Sequence, residues 1–182
     1  MLFSSIIYGP IRSRRLGVSL GVNLMPIDAK LCTFDCVYCE CGWNHPVPHP
    51  QLPTRQQVRD ALNFQLSTLN SQLDVITFSG NGEPTLHPEF LGIIQDTCAL
   101  RDQYCPEAKI SVLSNSTQLF REEVVEALRL CDNRILKLDS AITSTMRLID
   151  KPVNPSLTVE QILERLSLFD GDFTLQTCFL TG

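Results

Sequence analysis

At 182 residues the chain has a one-domain length with room for a real core, and 43% apolar against 19% charged residues excludes a disordered protein. A net charge of −5 gives no broad electrostatic footprint for nucleic acid, and no apolar run approaches the ~18 residues of a membrane span. Eight cysteines, with no basic start or small-residue cleavage site in Met1–Tyr8, suit a reducing, cytoplasmic setting better than a disulfide scaffold.

In chain order, Arg12, Arg14 and Arg15 precede a first strand over Val18–Leu24. They read either as a phosphate or carboxylate holder near the site or as a solvated basic edge. From Pro26 to Pro53 there is no periodicity and five prolines interrupt the chain, which marks a functional loop. It contains Cys32-Thr-Phe-Asp-Cys36-Val-Tyr38-Cys39, then Cys41, Trp43, His45 and His49. Thr54 and Gln57 form a capping box before a helix with Val58, Ala61, Leu62, Leu66 and Leu69 on its apolar stripe. A strand over Asp74–Ser79 ends in Gly80-Asn81-Gly82-Glu83-Pro84. Pro88 suits the first turn of the next helix, with Phe90, Ile93, Ile94 and Cys98 inward. A third strand, Lys109–Leu113, ends at Ser114-Asn115-Ser-Thr117 and is followed by a helix bearing Phe120, Val124, Ala127, Leu128 and Cys131. Arg134–Asp139 makes a fourth strand. A second capping box, Thr158 and Gln161, opens a helix with Val159, Ile162, Leu163 and Leu166 inward, and Phe173–Phe179 makes a fifth strand.

Strand–helix alternation at this spacing predicts an α/β fold with a parallel sheet and right-handed crossovers, in a single domain over residues 1–182. Every polar motif falls at the carboxyl end of a strand, the edge that carries chemistry in such sheets. Alternation also places Lys137, Asp139 and Gln176 toward one face. The cysteine triplet, in the loop 26–53, has three readings. Thiolates are soft ligands, and three of them on a four-iron cluster leave one iron open. Alternatively Cys41, His45 or His49 closes a structural zinc site, or the thiols are merely buried. The Gly80–Pro84 segment reads as an ordinary strand-to-helix turn or as a glycine-rich approach to a ligand with Glu83 as acceptor.

The C-x3-C-x2-C spacing, with Tyr38 directly before the third cysteine, resembles the signature of the radical S-adenosylmethionine (radical SAM) enzymes. Gly9 through Pro26, then Lys30 and Cys32 to Gly42, resemble the branch of Fe–S oxidoreductases related to the wyosine-forming tRNA enzymes. Gly80-Asn-Gly-Glu-Pro84 resembles that family's Gly-Gly-Glu-Pro motif with Asn81 in the second place. The resemblance implies a partial (βα)6 barrel, here lacking the last βα unit. It implies Cys32, Cys36 and Cys39 as catalytic ligands of a [4Fe–4S] cluster whose open iron binds S-adenosylmethionine. One electron, from a donor such as flavodoxin or ferredoxin, then releases a 5′-deoxyadenosyl radical that abstracts hydrogen from an unidentified substrate, RNA or protein. Cofactor contacts are implied for Tyr38 against the adenine, for Gly80, Asn81, Gly82 and Glu83, and for Ser114, Asn115, Lys137, Asp139 and Gln176. A glycyl-radical-enzyme activase shares the cysteine motif and compact size. A zinc or partner-binding module without catalysis is the reading from another class, which the missing sixth strand favours.

Overall fold

Apolar residues at alternate positions build one six-stranded sheet in the computed structural model, which describes residues 1–45, 48–69 and 72–180. Pro46 and Val47 of the expected loop 26–53, and the last two residues of the expected domain, lie outside the described residues. The strands are β1 (Ile7–Ser13), β2 (Gly17–Val22), β3 (Val75–Phe78), β4 (Lys109–Ser114), β5 (Asn133–Lys137) and β6 (Thr174–Gln176), and they lie side by side in sequence order. Neighbours from β2 to β6 pair in parallel, and β1 pairs antiparallel with β2. The five expected strands are therefore present, several of them trimmed at their ends. Among the described residues no sixth parallel strand follows β6.

Strand β1 was not expected. It is an edge strand carrying Gly9 and Pro10, its register shifts between Tyr8 and Ile11, and four of its seven residues are exposed. With no buried face it leaves no alternation to read, and proline is tolerated only at such an edge. The hairpin corrects the placement of the arginines. Arg12 pairs with Val18 at the start of β2, and Arg14 and Arg15 occupy the turn. That end of β2 is opposite the one from which the cysteine loop leaves, so these side chains are not part of the same site.

The helices are α1 (Arg55–Thr68), α2 (Phe90–Tyr104), α3 (Glu122–Arg129), α4 (Thr143–Asp150) and α5 (Val159–Leu166). Both expected capping boxes form, at Thr54/Gln57 and Thr158/Gln161, each worth about 1 kcal/mol. Helix α4 was not expected, because Ile142 at its start offers no capping side chain and only Met146 and Asp150 are buried. Pro88 lies in the turn before α2 rather than in its first turn. Phe120 is 62% exposed and precedes α3, its place in the core being taken by Leu119, and Leu163 is 45% exposed. None of the helices among the described residues is long and apolar enough to cross a membrane.

Consecutive parallel strands joined by right-handed crossovers place all the helices on one face. Leu20, Val22, Ile76, Phe78, Ile110, Val112 and Leu136 point toward them and are fully buried. The other face carries the small or polar Ser19, Gly21, Thr77, Ser111, Lys137 and Gln176 alongside the apolar Val75, Leu113 and Ile135. Ser19 and Thr77 hydroxyls bond at 2.7 Å, and the Tyr8 hydroxyl reaches Ser79 at 2.6 Å. This face is the concave interior of a partial barrel.

Helices α1 and α2 are joined by a bidentate ion pair. Arg55 Nε and Nη2 reach Asp96 at 2.7 and 2.8 Å, and Gly92 leaves the room that guanidinium occupies. Arg55 holds the Asp96 carboxyl below its ordinary 3.8. Asp96→Asn is expected to lose about 1 kcal/mol at pH 7, since Arg55 is partly exposed and screened. A lowered carboxylate pKa gives stability that is present above the unfolded value and lost as pH falls through the folded one. Urea unfolding should therefore show the native advantage fading below pH 3.8.

Candidate functional site

The cysteine loop leaves the carboxyl end of β2 and is tied on two sides. Leu31 forms a parallel bridge with Gly82, through Leu31 N to Asn81 O at 2.9 Å and Glu83 N to Leu31 O at 3.0 Å. Phe34 forms an antiparallel bridge with Pro152, while Asp35 N donates to Asp150 O at 2.8 Å and Val37 N to Ile149 O at 2.9 Å. Phe34 is buried and anchors the loop in the core. Inside the loop, buried Lys30 donates to Asp35 Oδ1 at 2.8 Å and to the Gly42 carbonyl at 2.9 Å, closing it like a staple.

Each of the three thiols has a distinct environment. Asn115 Nδ2 donates to Cys32 Sγ at 3.4 Å, and burial, aided by the Glu83 charge, pushes the Cys32 thiol up to about 12. Lys137 Nζ donates to Cys36 Sγ at 2.9 Å; burial still raises this thiol's pKa, with Lys137 opposing. Interaction with the neighbouring Cys41 brings the Cys39 thiol down to about 5 and pushes Cys41 up. Cys41 also lies 3.3 Å from the Gly80 carbonyl. The charge of Lys30 acts on both Cys39 and Cys32, and that of Cys36 on Cys32. Among the described residues no three His, Cys, Asp or Glu side chains, the three motif cysteines included, are placed to hold a single metal ion.

The motif after β3 departs from expectation. Gly80 and Gly82 have φ of +134° and +150°, but the groups they admit belong to the protein: the Asn23 side chain and the Leu31 carbonyl. Asn81 is fully buried, and its carboxamide bonds Phe3 N at 2.7 Å, Phe3 O at 2.8 Å and Pro26 O at 2.7 Å. Its own N–H goes to Asn23 Oδ1 at 3.0 Å and its carbonyl to Leu31. Asn81 is thus a clamp on the N-terminal segment, and the expected cofactor contact is corrected. Glu83, 2% exposed, accepts from Thr85 N, Thr85 Oγ1, Ser114 Oγ at 2.8 Å and Asn115 N at 2.7 Å. Burial raises its pKa and these four donors oppose the rise. The carboxylate therefore ties the motif to the end of β4 instead of facing an open mouth, and Ser114 is part of that tie.

Other expected residues do gather at the thiols. Asn115 bridges Cys32 and Thr33 Oγ1 (2.8 Å), held in turn by Thr117 Oγ1 at 2.7 Å. Tyr38 donates its hydroxyl to Asp139, which also accepts from Cys178 N at 2.9 Å and lies 3.2 Å from Lys137. Gln176 is the register partner of Lys137 on the concave face. His87 is buried and its Nε2 lies 2.8 Å from the Pro53 carbonyl, closing the far end of the cysteine loop.

Sequence reasoning missed Asp150. It is 1% exposed, 2.6 Å from Lys137 Nζ, and burial with the neighbouring Asp139 carboxyl raises its pKa to about 6. An acid in the last turn of a helix opposes the helix dipole, but with α4 itself unexpected that signal could not be read. A cavity of about 430 Å³ lies behind the loop, between Thr33, Thr117, Pro152, Leu157 and Ile162.

Residues 27–178 match the family model described as Radical SAM superfamily. The chain is 31% identical over 180 residues to a UPF0026 protein of Helicobacter pylori (strain ATCC 700392 / 26695), covering 97% of this chain and 57% of that protein. It is 34% identical over 172 residues to a UPF0026 protein of Synechocystis sp. (strain PCC 6803), covering 92% and 60%. The chain thus spans little more than half the length of these relatives. Among solved structures, native anSMEcpe with bound AdoMet superposes with a TM-score of 0.62 at 17% identity, over 86% of this chain and 42% of that one, so the fold is shared. A [4Fe–4S] cluster and S-adenosylmethionine are the cofactors of the matched superfamily. With that match running from the cysteine loop to the end of the sheet, the chain belongs to the radical SAM superfamily.

Proposed function

We propose that the chain is a radical SAM enzyme in which Cys32, Cys36 and Cys39 hold a [4Fe–4S] cluster and the concave face receives S-adenosylmethionine. One observation carries the reading: three thiols lie on one tied loop at the strand ends, and nitrogen donors from two other strands, Asn115 and Lys137, are aimed at two of them. The donor set fits the cluster, being all sulfur, threefold and bordered by N–H groups that hydrogen-bond sulfur. When bound, the two cofactors supply one-electron cleavage to a 5′-deoxyadenosyl radical that takes hydrogen from a substrate.

The chain's own residues orient and shield. Lys30 and the two bridges fix the loop, Asn115 sets Cys32, and the Tyr38 ring is held by Asp139 at the edge of the concave face. Tyr38, Gly80, Gly82, Asp139 and Gln176 are proposed to line the cofactor. Cys41 lies outside the ligand set. The Cys32–Gly42 segment, closed by the Lys30 bond to the Gly42 carbonyl, is the part of the loop that resembles the Fe–S oxidoreductase branch related to wyosine-forming enzymes. A small electron-transfer protein as donor, an RNA or protein substrate and a cytoplasmic setting complete the reading.

Anaerobic reconstitution with iron and sulfide, reduction and addition of S-adenosylmethionine test it. Native protein and Cys41→Ala are expected to hold about four irons and to release 5′-deoxyadenosine. Cys36→Ala is expected to lose both. A native protein that holds the cluster and never cleaves the cofactor would sink the enzyme reading in favour of a binding module.

A further inference from the structure

We infer that Lys137 is a positioning residue for the cluster, acting through the Cys36 sulfur; this rests on the cluster reading above. Lys137 ends β5 on the concave face, and its ammonium is held from three directions. It is 2.9 Å from Cys36 Sγ on the cysteine loop, 2.6 Å from Asp150 Oδ1 at the end of α4, and 3.2 Å from Asp139 Oδ2 beyond β5. An ammonium has three N–H donors; two bond Cys36 and Asp150, and the Asp139 carboxylate flanks the ammonium at ion-pair distance. The cofactor contact expected of Lys137 thus gives way to a contact with the ligand sulfur.

A plain buried ion pair would need only Asp150 and Asp139. Here the cation also lies 4.7 Å from the Phe34 ring centre and 5.2 Å from that of Tyr38, both rings belonging to the cysteine loop. The whole arrangement thus points a fixed positive charge, 14% exposed, at one ligand and its flanks. Hydrogen bonds and positive charge at a cluster sulfur favour the reduced, more negative state and raise its reduction potential. They also hold Cys36 in one orientation before the metal arrives. Asp139 and Asp150 keep the ammonium in place and temper its charge.

The test compares reconstituted native protein with Lys137→Met, Lys137→Arg and the double variant Lys137→Met/Asp150→Asn. The double variant removes the cation together with its nearest carboxylate partner, while Asp139 keeps its hydrogen bonds from Tyr38 and Cys178 N. Potentials are read by spectroscopic redox titration before any cofactor is added, alongside iron content and thermal unfolding. Loss of the ammonium is expected to make the cluster about tenfold harder to reduce, which is about 59 mV for a one-electron couple. Lys137→Arg is expected to restore most of that shift. Equal potentials in native and double variant, at equal iron, would overturn the inference and leave the cluster reading standing. Loss of folding in both methionine variants would also overturn it, since the role is then structural alone. A native protein that takes up no cluster would overturn both readings.

Discussion

Glu83→Ala is expected to destabilise the protein by about 4 kcal/mol, a shift visible as an early urea midpoint even without any cofactor. The carboxylate is buried and accepts four hydrogen bonds from Thr85, Ser114 and the Asn115 amide. Removing it strands those donors, and each buried unsatisfied polar group costs about 1–3 kcal/mol. Loop geometry suffers as well, because Glu83 N holds the Leu31 carbonyl directly before Cys32. Glu83→Gln keeps the volume and one acceptor oxygen. Its amide would face either the Asn115 N–H or the Ser114 and Thr85 donors, so an intermediate loss of about 2 kcal/mol is expected. A carboxylate kept only to meet a ligand's ammonium group would behave differently. Its removal would leave the urea midpoint unchanged and weaken cofactor binding alone.

Local signals carried much of this structure. Thr54/Gln57 and Thr158/Gln161 were legible because a capping box is complete within four residues. The parallel strands were legible because Leu20, Val22, Ile76, Phe78, Ile110 and Val112 repeat at the strand period, and the cysteine loop because its spacing is local. What escaped depends on partners distant in the chain. Asn81 reads as a substituted glycine, yet its role is set by Phe3, 78 residues away. Lys137 reads as one more polar strand end, yet Cys36, 101 residues away, defines it. Glu83 reads as a turn residue or a ligand acceptor until β4 brings Ser114 and Asn115 over it. Strand β1 and helix α4 lacked the buried face or the cap that would have announced them.

Gly82→Ala is expected to be the most damaging single methyl in the protein. Gly82 has φ of +150°, a conformation L side chains rarely adopt, and its missing Cβ is the space the Leu31 backbone carbonyl occupies. Backbone cannot step aside as a side-chain tip can, so the methyl must break the Leu31–Gly82 bridge with its flanking bonds of 2.9 and 3.0 Å. Strain of about 1–3 kcal/mol together with two lost hydrogen bonds sums to about 3–5 kcal/mol. The damage is directional, because Leu31 immediately precedes Cys32, and moving one loses the placement of the other. Iron retained after reconstitution should therefore fall further than thermal stability does. Gly80→Ala supplies the control. Its φ of +134° is also unfavourable, but its methyl would meet only the Asn23 side chain, which can rotate. Gly80→Ala should cost less stability and keep more iron than Gly82→Ala. Equal losses from the two substitutions would mean that the bridge does not hold the cysteine loop, and the ordering of the thiols would then rest on Lys30 and the contacts with α4.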